Sequence, residues 1–224
     1  MFKKYLGKLK QKNFAKQLRQ PQGAAGVKVG IVMNNGNEVL YDFTFSTMQV
    51  EENETILEIG FGNGKFFNKL FSRAANVKIS GIDYSETMLK EACEKNLASI
   101  KNGKLLLQQG NSDHLPFADN SFDKVFCINV IYFWDDPEKH LEEINRVLQP
   151  GGKFYATIRS KSSMELMPFT KYGFTKYTEE EWKEVLNKTP LNFLKTERFD
   201  EPPMNFKNAP LNIYSLCLIA AKSQ

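Results

Sequence analysis

Five residues of strand character, Thr55-Ile56-Leu57-Glu58-Ile59, run straight into Gly60-Phe61-Gly62-Asn63-Gly64, and a helical pattern over about Lys65 to Arg73 follows. A strand that turns over alternating glycines into a helix is the first half of a βαβ unit, because parallel neighbours must be joined by a crossover rather than a tight turn. The units repeat. Val77 to Ile82 is a second strand ending at Asp83, and Ser85 caps a helix running towards Ile100. Leu105-Leu106-Leu107 and Lys124 to Ile128 supply a third and a fourth strand. Asp136 before Pro137 opens a helix that ends ahead of Pro150-Gly151-Gly152, and Phe154 to Ile158 is a fifth strand. Thr178 with Glu181 forms a capping box for a helix through Leu186. Phe193 to Phe199 and Ile213 to Ala221 close the chain with no helix between them, as a hairpin at one sheet edge. The expected fold is a doubly wound, Rossmann-like α/β domain: a seven-stranded, mostly parallel sheet with an antiparallel hairpin strand at one edge. Ligands in such open sheets lie beyond the carboxyl ends of the strands at the topological switch point, which directs attention to the ends of the first four.

The chain ahead of this alternation differs in charge. Residues 1–37 carry eight basic side chains (Lys3, Lys4, Lys8, Lys10, Lys12, Lys16, Arg19, Lys28) and no acid, while the remainder has 22 basic residues against 26 acidic. Phe2, Tyr5, Leu6 and Leu9 fall at helical spacing among the lysines, giving a short amphipathic helix. Pro21 to Gly30, rich in Gly and Ala, reads as a loop or hinge. The expected division is a basic N-terminal helical lid segment over residues 1–50 and a ligand-binding domain over residues 51–224. A hydrophobic content of 42% with 18 Phe is ample for one core. No apolar run is long enough for a transmembrane helix and no secretory leader pattern is present. Three scattered cysteines, Cys93, Cys127 and Cys217, fit reduced thiols better than a disulfide framework, so a cytoplasmic setting is expected. With His114 and His140 as the two histidines and no cysteine pair at ligand spacing, no metal site is expected.

The glycine loop excludes two phosphate motifs. A dinucleotide fingerprint would require glycine at position 65, where Lys65 stands, and a P-loop would require glycine at 59 and Ser or Thr at 66, where Ile59 and Phe66 stand. What remains is E-x-G-x-G-x-G, with Glu58 two residues ahead of Gly60. An acid there is unfavourable beside a pyrophosphate and suits a ligand carrying an ammonium group; a structural turn with a solvated Glu58 is the plain alternative. Asp83, at the end of the second strand, is placed to accept hydrogen bonds from ribose hydroxyls, or else simply caps the next helix.

With these features in order, the chain resembles a class I S-adenosylmethionine-dependent methyltransferase. The branch it most resembles is typified by ubiquinone/menaquinone-biosynthesis methyltransferases and their small-molecule relatives. The resemblance covers roughly Glu54 to Ile158 and rests on L-E-I-G-F-G-N-G, G-I-D-Y-S-E-T-M-L, Q-G-N-S-D-H-L-P-F-A-D-N-S-F-D and L-Q-P-G-G-K-F. It implies that Glu58, Gly60, Gly62, Asn63 and Gly64 surround the methionine part of S-adenosylmethionine. Asp83 would hold the ribose, and Tyr84 and Met88 would pack near the adenosine. Asn111, often Asp in the family, and the Ser112 amide would read the adenine, and the Ile128 carbonyl would face the cofactor's amino group. Asn129 to Trp134 would border the acceptor pocket, with Asn129, Tyr132, Tyr172 and Tyr177 as candidate acceptor contacts and Phe133 equally well an aromatic plug in the core. The product would be S-adenosylhomocysteine.

The sulfonium methyl is already activated, so the expected work of the protein is alignment and water exclusion. A base is needed only for a hydroxyl or carbon acceptor, and both histidines are expected at the surface or behind the site. Asn129-Val130-Ile131-Tyr132 lacks the N-P-P-Y pattern of exocyclic nucleobase amine methylation. The segment Ser160 to Tyr177, with Met164, Met167, Phe169, Tyr172, Phe174 and Tyr177 edged by Arg159, Lys161, Lys171 and Lys176, suits a small hydrophobic or planar acceptor with an anionic end. The basic head is expected to close over the pocket, with peripheral membrane contact as an alternative; the acidic body argues against nucleic acid as a partner. Methylation of RNA or protein, cofactor binding without turnover and, remotely, a nicotinamide reductase are the competing functions, and oligomeric state stays open.

Overall fold

The computed structural model describes the backbone of residues 2–206 and 209–224 and the side chains of residues 9–203 and 212–224. Two helices lead, α1 (Phe2–Arg19) and α2 (Gly23–Met48). The alternation then runs β1 (Thr55–Ile59), α3 (Phe67–Phe71), β2 (Lys78–Asp83), α4 (Glu86–Lys95), α5 (Leu97–Lys101), β3 (Leu105–Gln109), β4 (Phe122–Ile128), α6 (Pro137–Val147) and β5 (Leu148–Arg159). After α7 (Lys161–Glu165) and α8 (Glu179–Leu186) come β6 (Leu191–Asp200), the small pair β7 (Met204–Phe206) and β8 (Ala209–Leu211), and β9 (Tyr214–Lys222).

Seven strands form one sheet in the order β3-β2-β1-β4-β5-β9-β6, in which only β9 runs against the others. The expected doubly wound sheet and its edge hairpin are therefore present, with β9 inside the hairpin and β6 as the edge. The order reverses between β1 and β4, which pair in parallel with Glu58 opposite Phe126. That reversal is the switch point of the sheet. Strand alternation feeds two apolar layers. Leu57, Ile59, Val125 and Phe154 pack with Leu141, Ile144 and Trp182 on the α6–α8 side, and Ile56, Ile79 and Phe126 pack with Leu40, Phe45 and Leu70 on the α2–α3 side.

Three local expectations are corrected. Pro21 to Gly30 is not a hinge, since α2 begins at Gly23 and only a short link separates it from α1. Two of its glycines serve close packing: a Cβ on Gly26 would lie 2.6 Å from the Pro21 carbonyl carbon, and one on Gly30 would lie 3.1 Å from Met88 Sδ. The helix capped by Ser85 stops at Lys95, because Asn96 turns its Nδ2 onto the carbonyls of Gly64 and Ala92. Pro150-Gly151-Gly152 lies within β5, where the register with β4 shifts, rather than ahead of it. Of the apolar stripe on α1, Leu9 is exposed, and the side chains of Phe2, Tyr5 and Leu6 lie outside the described residues. The Ser85 cap and the Thr178–Glu181 capping box form as expected.

Candidate active site

The loop after β1 is bent by glycine. Gly60 has φ +78°, its N–H donates to the Ile82 carbonyl at 2.7 Å, and a Cβ added to it would stand 2.4 Å from Val130 Cγ2. Any side chain there collides with the Val130 side chain just beyond the end of β4. Gly62 has φ +56° but faces open space, with nothing within 4 Å of an added Cβ. One glycine brings two strand ends together; the next leaves room for a ligand.

Asp83 is organised by the same loop. The Gly62 N–H donates to Oδ2 and the Ser85 N–H to Oδ1, both at 2.8 Å. Burial pushes its carboxyl up to about 6 against these two donors, and each oxygen keeps a lone pair for a further hydroxyl.

Glu58 shares the β1 face of Ile56 and so points towards α2. There Tyr41 donates to Oε1 at 2.6 Å. Burial pushes the Glu58 carboxyl up to about 8; the Tyr41 hydrogen bond works against this and Asp83 adds to it.

Beyond these strand ends lies a cleft of about 250 Å³. Its floor is Ile59, Gly60, Gly62, Ile82 and Asp83; one wall is Tyr84, Met88 and Gly110 to Asp113; the other is Ile128 to Val130 with Phe133, Trp134 and His140. Leu18, Arg19, Pro21 and Met33 cover it. The cover is fastened where the Ser85 hydroxyl donates to the Pro21 carbonyl and the Gly23 N–H donates to Thr87 Oγ1 at 3.1 Å. Phe14 meets Phe169 edge to face at 5.2 Å, and Arg19 pairs with Asp135 at 2.5 Å in solvent.

The cleft thus gathers Gly60, Gly62, Asp83, Tyr84, Met88, Asn111, Ser112 and Ile128 from the residues singled out in the sequence. Glu58, Asn63 and Gly64 stand behind the loop. Gly64 packs on α4, where an added Cβ would be 2.8 Å from Ala92 Cβ. Asn129 lines the cleft with φ +58°, its Nδ2 donating to Asn37 Oδ1 at 3.0 Å. Tyr132 is buried behind it, donating to Asn129 Oδ1 at 3.1 Å and to the Arg159 carbonyl at 3.0 Å. Arg159 is itself buried in an ion pair with Glu201 at 2.8 Å. Tyr177 packs on Trp182 with ring centres 5.2 Å apart, away from the cleft, and Tyr172 is half-buried outside its wall. Phe133 forms part of the cleft wall.

His140 is buried in the wall. Its Nδ1 lies 2.8 Å from Ser112 Oγ and its ring stacks on Trp134 at 4.6 Å. Desolvation lowers its pKa to about 4, so it is neutral at pH 7. His114 is exposed. Sequence reasoning passed over Tyr41, Asn37 and Met33, all on α2. The signal for them was the helical spacing of Leu40, Tyr41, Thr44, Phe45 and Met48.

A family described as "Methyltransferase domain" matches residues 57–156, the stretch carrying the glycine loop, Asp83 and the cleft wall. The methyltransferase YdaC of Bacillus subtilis (strain 168), itself uncharacterised, is 32% identical over 134 residues, covering 60% of this chain and 72% of that one. The chain belongs to the class I S-adenosylmethionine-dependent methyltransferases. Within them it resembles the ubiquinone/menaquinone-biosynthesis methyltransferases. The ubiquinone/menaquinone biosynthesis C-methyltransferase UbiE of Geotalea daltonii is 32% identical over 112 residues, half of this chain and 48% of that one. The matched part thus spans about half to three-quarters of these relatives. The protein complexed with the Haloferax volcanii Trm112 methyltransferase activator shares the fold, with a TM-score of 0.75 and 22% identity over 87% of this chain and 94% of that one.

Family membership implies S-adenosylmethionine as cofactor, and the residues of this methyltransferase fit such a group. Gly62 leaves open space, Asp83 offers acceptors, and the buried Asn63 Oδ1 has no hydrogen-bond partner. The buried Glu58 carboxyl has no cationic partner among the described residues.

Proposed function

We propose that this methyltransferase transfers the methyl group of S-adenosylmethionine to a small hydrophobic or aromatic acceptor. The observation that carries the reading is the make-up of the cleft. Its floor offers the free lone pairs of the Asp83 carboxylate beside the open space at Gly62, while Val130, Phe133, Leu18 and Met33 add an apolar surface to the same space. When bound, S-adenosylmethionine would supply an electrophilic methyl, its S–CH3 bond breaking as the acceptor's electron pair forms the new bond, with S-adenosylhomocysteine as the leaving group. The chain does the rest. Asp83 would hold the ribose hydroxyls, and Asn111 and the Ser112 amide the adenine, with His140 fixing Ser112 from behind. The loop of Gly60 and Gly62 would admit the methionine part, with Glu58 and Asn63 beneath it. The Leu18–Met33 cover would exclude water and hold the acceptor for in-line attack.

Turnover assays with lipid-like quinols, phenols and amines, beside total RNA and protein extracts, test the reading. Methylation confined to the small hydrophobic panel supports it. Methylation of RNA or protein alone overturns the acceptor class.

A further inference from the structure

The outer face of the cleft cover has no role in the cleft. On the first half of α2 the solvent-facing residues are Ala24, Lys28, Ile31, Val32 and Asn35, at the spacing of one helical face. Ile31 is 53% and Val32 54% exposed, two of the few large aliphatic side chains left in water. Leu9, 40% exposed, lies on α1, which packs beside α2. Lys10, Lys12 and Lys16 are exposed on α1, Lys28 sits between Ile31 and Val32 on the α2 face, and no acid occurs before Glu38. Among the described residues no helix is long and apolar enough to cross a membrane. Exposed aliphatic side chains and lysines with no ion-pair partner among the described residues, on helices too polar to insert, match a surface carrying both apolar chains and anionic headgroups.

We infer that the outer face of the α1–α2 pair docks the enzyme on an anionic lipid surface. Ile31, Val32 and Leu9 enter the boundary between headgroups and chains, and the lysines pair with phosphates. RNA satisfies only half of this face: among the described residues the exposed stripe has no aromatic ring on which a base could stack. Opposite sides of α2 serve the two tasks, since Gly30 and Met33 face the cleft side. A docked molecule therefore holds its cleft about one helix diameter, roughly 10 Å, from the lipid.

The full chain is sedimented with phosphatidylcholine vesicles, with and without phosphatidylglycerol, at low and physiological salt. Binding is expected only with phosphatidylglycerol and should weaken as salt rises. Ile31→Asp with Val32→Asp should lower vesicle affinity about tenfold or more while leaving the melting temperature and S-adenosylmethionine affinity unchanged, because both side chains already stand in water. Lys10→Glu with Lys16→Glu and Lys28→Glu should abolish it. No vesicle binding at low salt overturns the inference. So does binding that ignores the Ile31/Val32 change, or tighter binding to a single-stranded RNA oligonucleotide than to anionic vesicles. Cofactor titration of the same samples reports separately on the methyltransferase reading.

Discussion

The Tyr41 hydroxyl on α2 donates a 2.6 Å hydrogen bond to Glu58 Oε1 at the end of β1, and no other side chain among the described residues bonds that carboxyl. The contact joins β1, which leads into the glycine loop, to α2, which supplies Met33 to the cleft lining. Tyr41→Phe strands a buried carboxyl and should cost about 1–3 kcal/mol of stability by urea unfolding. Glu58→Gln combined with Tyr41→Phe should cost less than the two losses added, since the pair acts as a unit. Additive losses would show that the two side chains do not depend on each other.

The same carboxyl sets a pH dependence. With its pKa raised from 4.5 to about 8, folded Glu58 binds more proton than unfolded Glu58 across that window, so its contribution falls as pH rises through it. Asp83, raised from 3.8 to about 6, acts with the same sign at lower pH. His140, lowered from 6.5 to about 4, acts oppositely, with stability rising with pH between those values. Above about pH 6.5 Glu58 is left dominant. The ligand-free protein should lose melting temperature between pH 6.5 and 8, and Glu58→Gln should flatten that slope. A slope unchanged in Glu58→Gln would assign the titration elsewhere.

Asp83→Ala should weaken S-adenosylmethionine binding by roughly 1.5–3 kcal/mol, from about tenfold to somewhat over a hundredfold. Calorimetric titration measures it, with thermal melting to confirm the fold. Affinity equal to that of the parent protein would remove Asp83 from the ribose site.

Gly60→Ala combines an unfavourable positive φ with a Cβ 2.4 Å from Val130 Cγ2. The backbone part alone costs about 1–3 kcal/mol. Adding Val130→Ala should relieve the collision and leave the backbone part, so the double variant should be more stable than Gly60→Ala alone in urea. If it is less stable, the strand ends do not meet as described.

Much of the fold could be read in advance because its signals are local. The Ser85 cap, the Thr178–Glu181 box and Pro137 at a helix start each act within one turn of chain. Eight of the eleven proposed cofactor residues line the cleft for the same reason, since the switch point gathers strand ends automatically. What escaped notice depends on distant neighbours. Gly26 and Gly30 look like flexibility in a sequence, and only Pro21 and Met88 pressed against them show that they are contact points. Likewise, Tyr177 packs on Trp182 of α8 rather than lining the cleft.

Removing residues 1–19 takes Leu18 and Arg19 from the cleft but leaves the Pro21 and Gly23 fastenings and the packing of α2 below them. The truncated protein should stay folded and bind S-adenosylmethionine within about tenfold of the full chain, or 1.4 kcal/mol. Circular dichroism and calorimetry check this, and global unfolding would place α1 within the core.

Ser85 does two jobs with one oxygen: it accepts the Met88 N–H that starts α4, and it donates to the Pro21 carbonyl that begins the cover. Lifting the Pro21 end of the cover would therefore unsettle the helix start on which the ligand is expected to rest, so roof and floor stay in step. Two residues from Pro21, Arg19 meets Asp135 through two long side chains in water. An exposed pair of this kind exchanges readily with solvent. Salt should therefore loosen this ion pair while leaving the uncharged Ser85 fastening in place, so the two ends of the same short link answer differently to ionic strength.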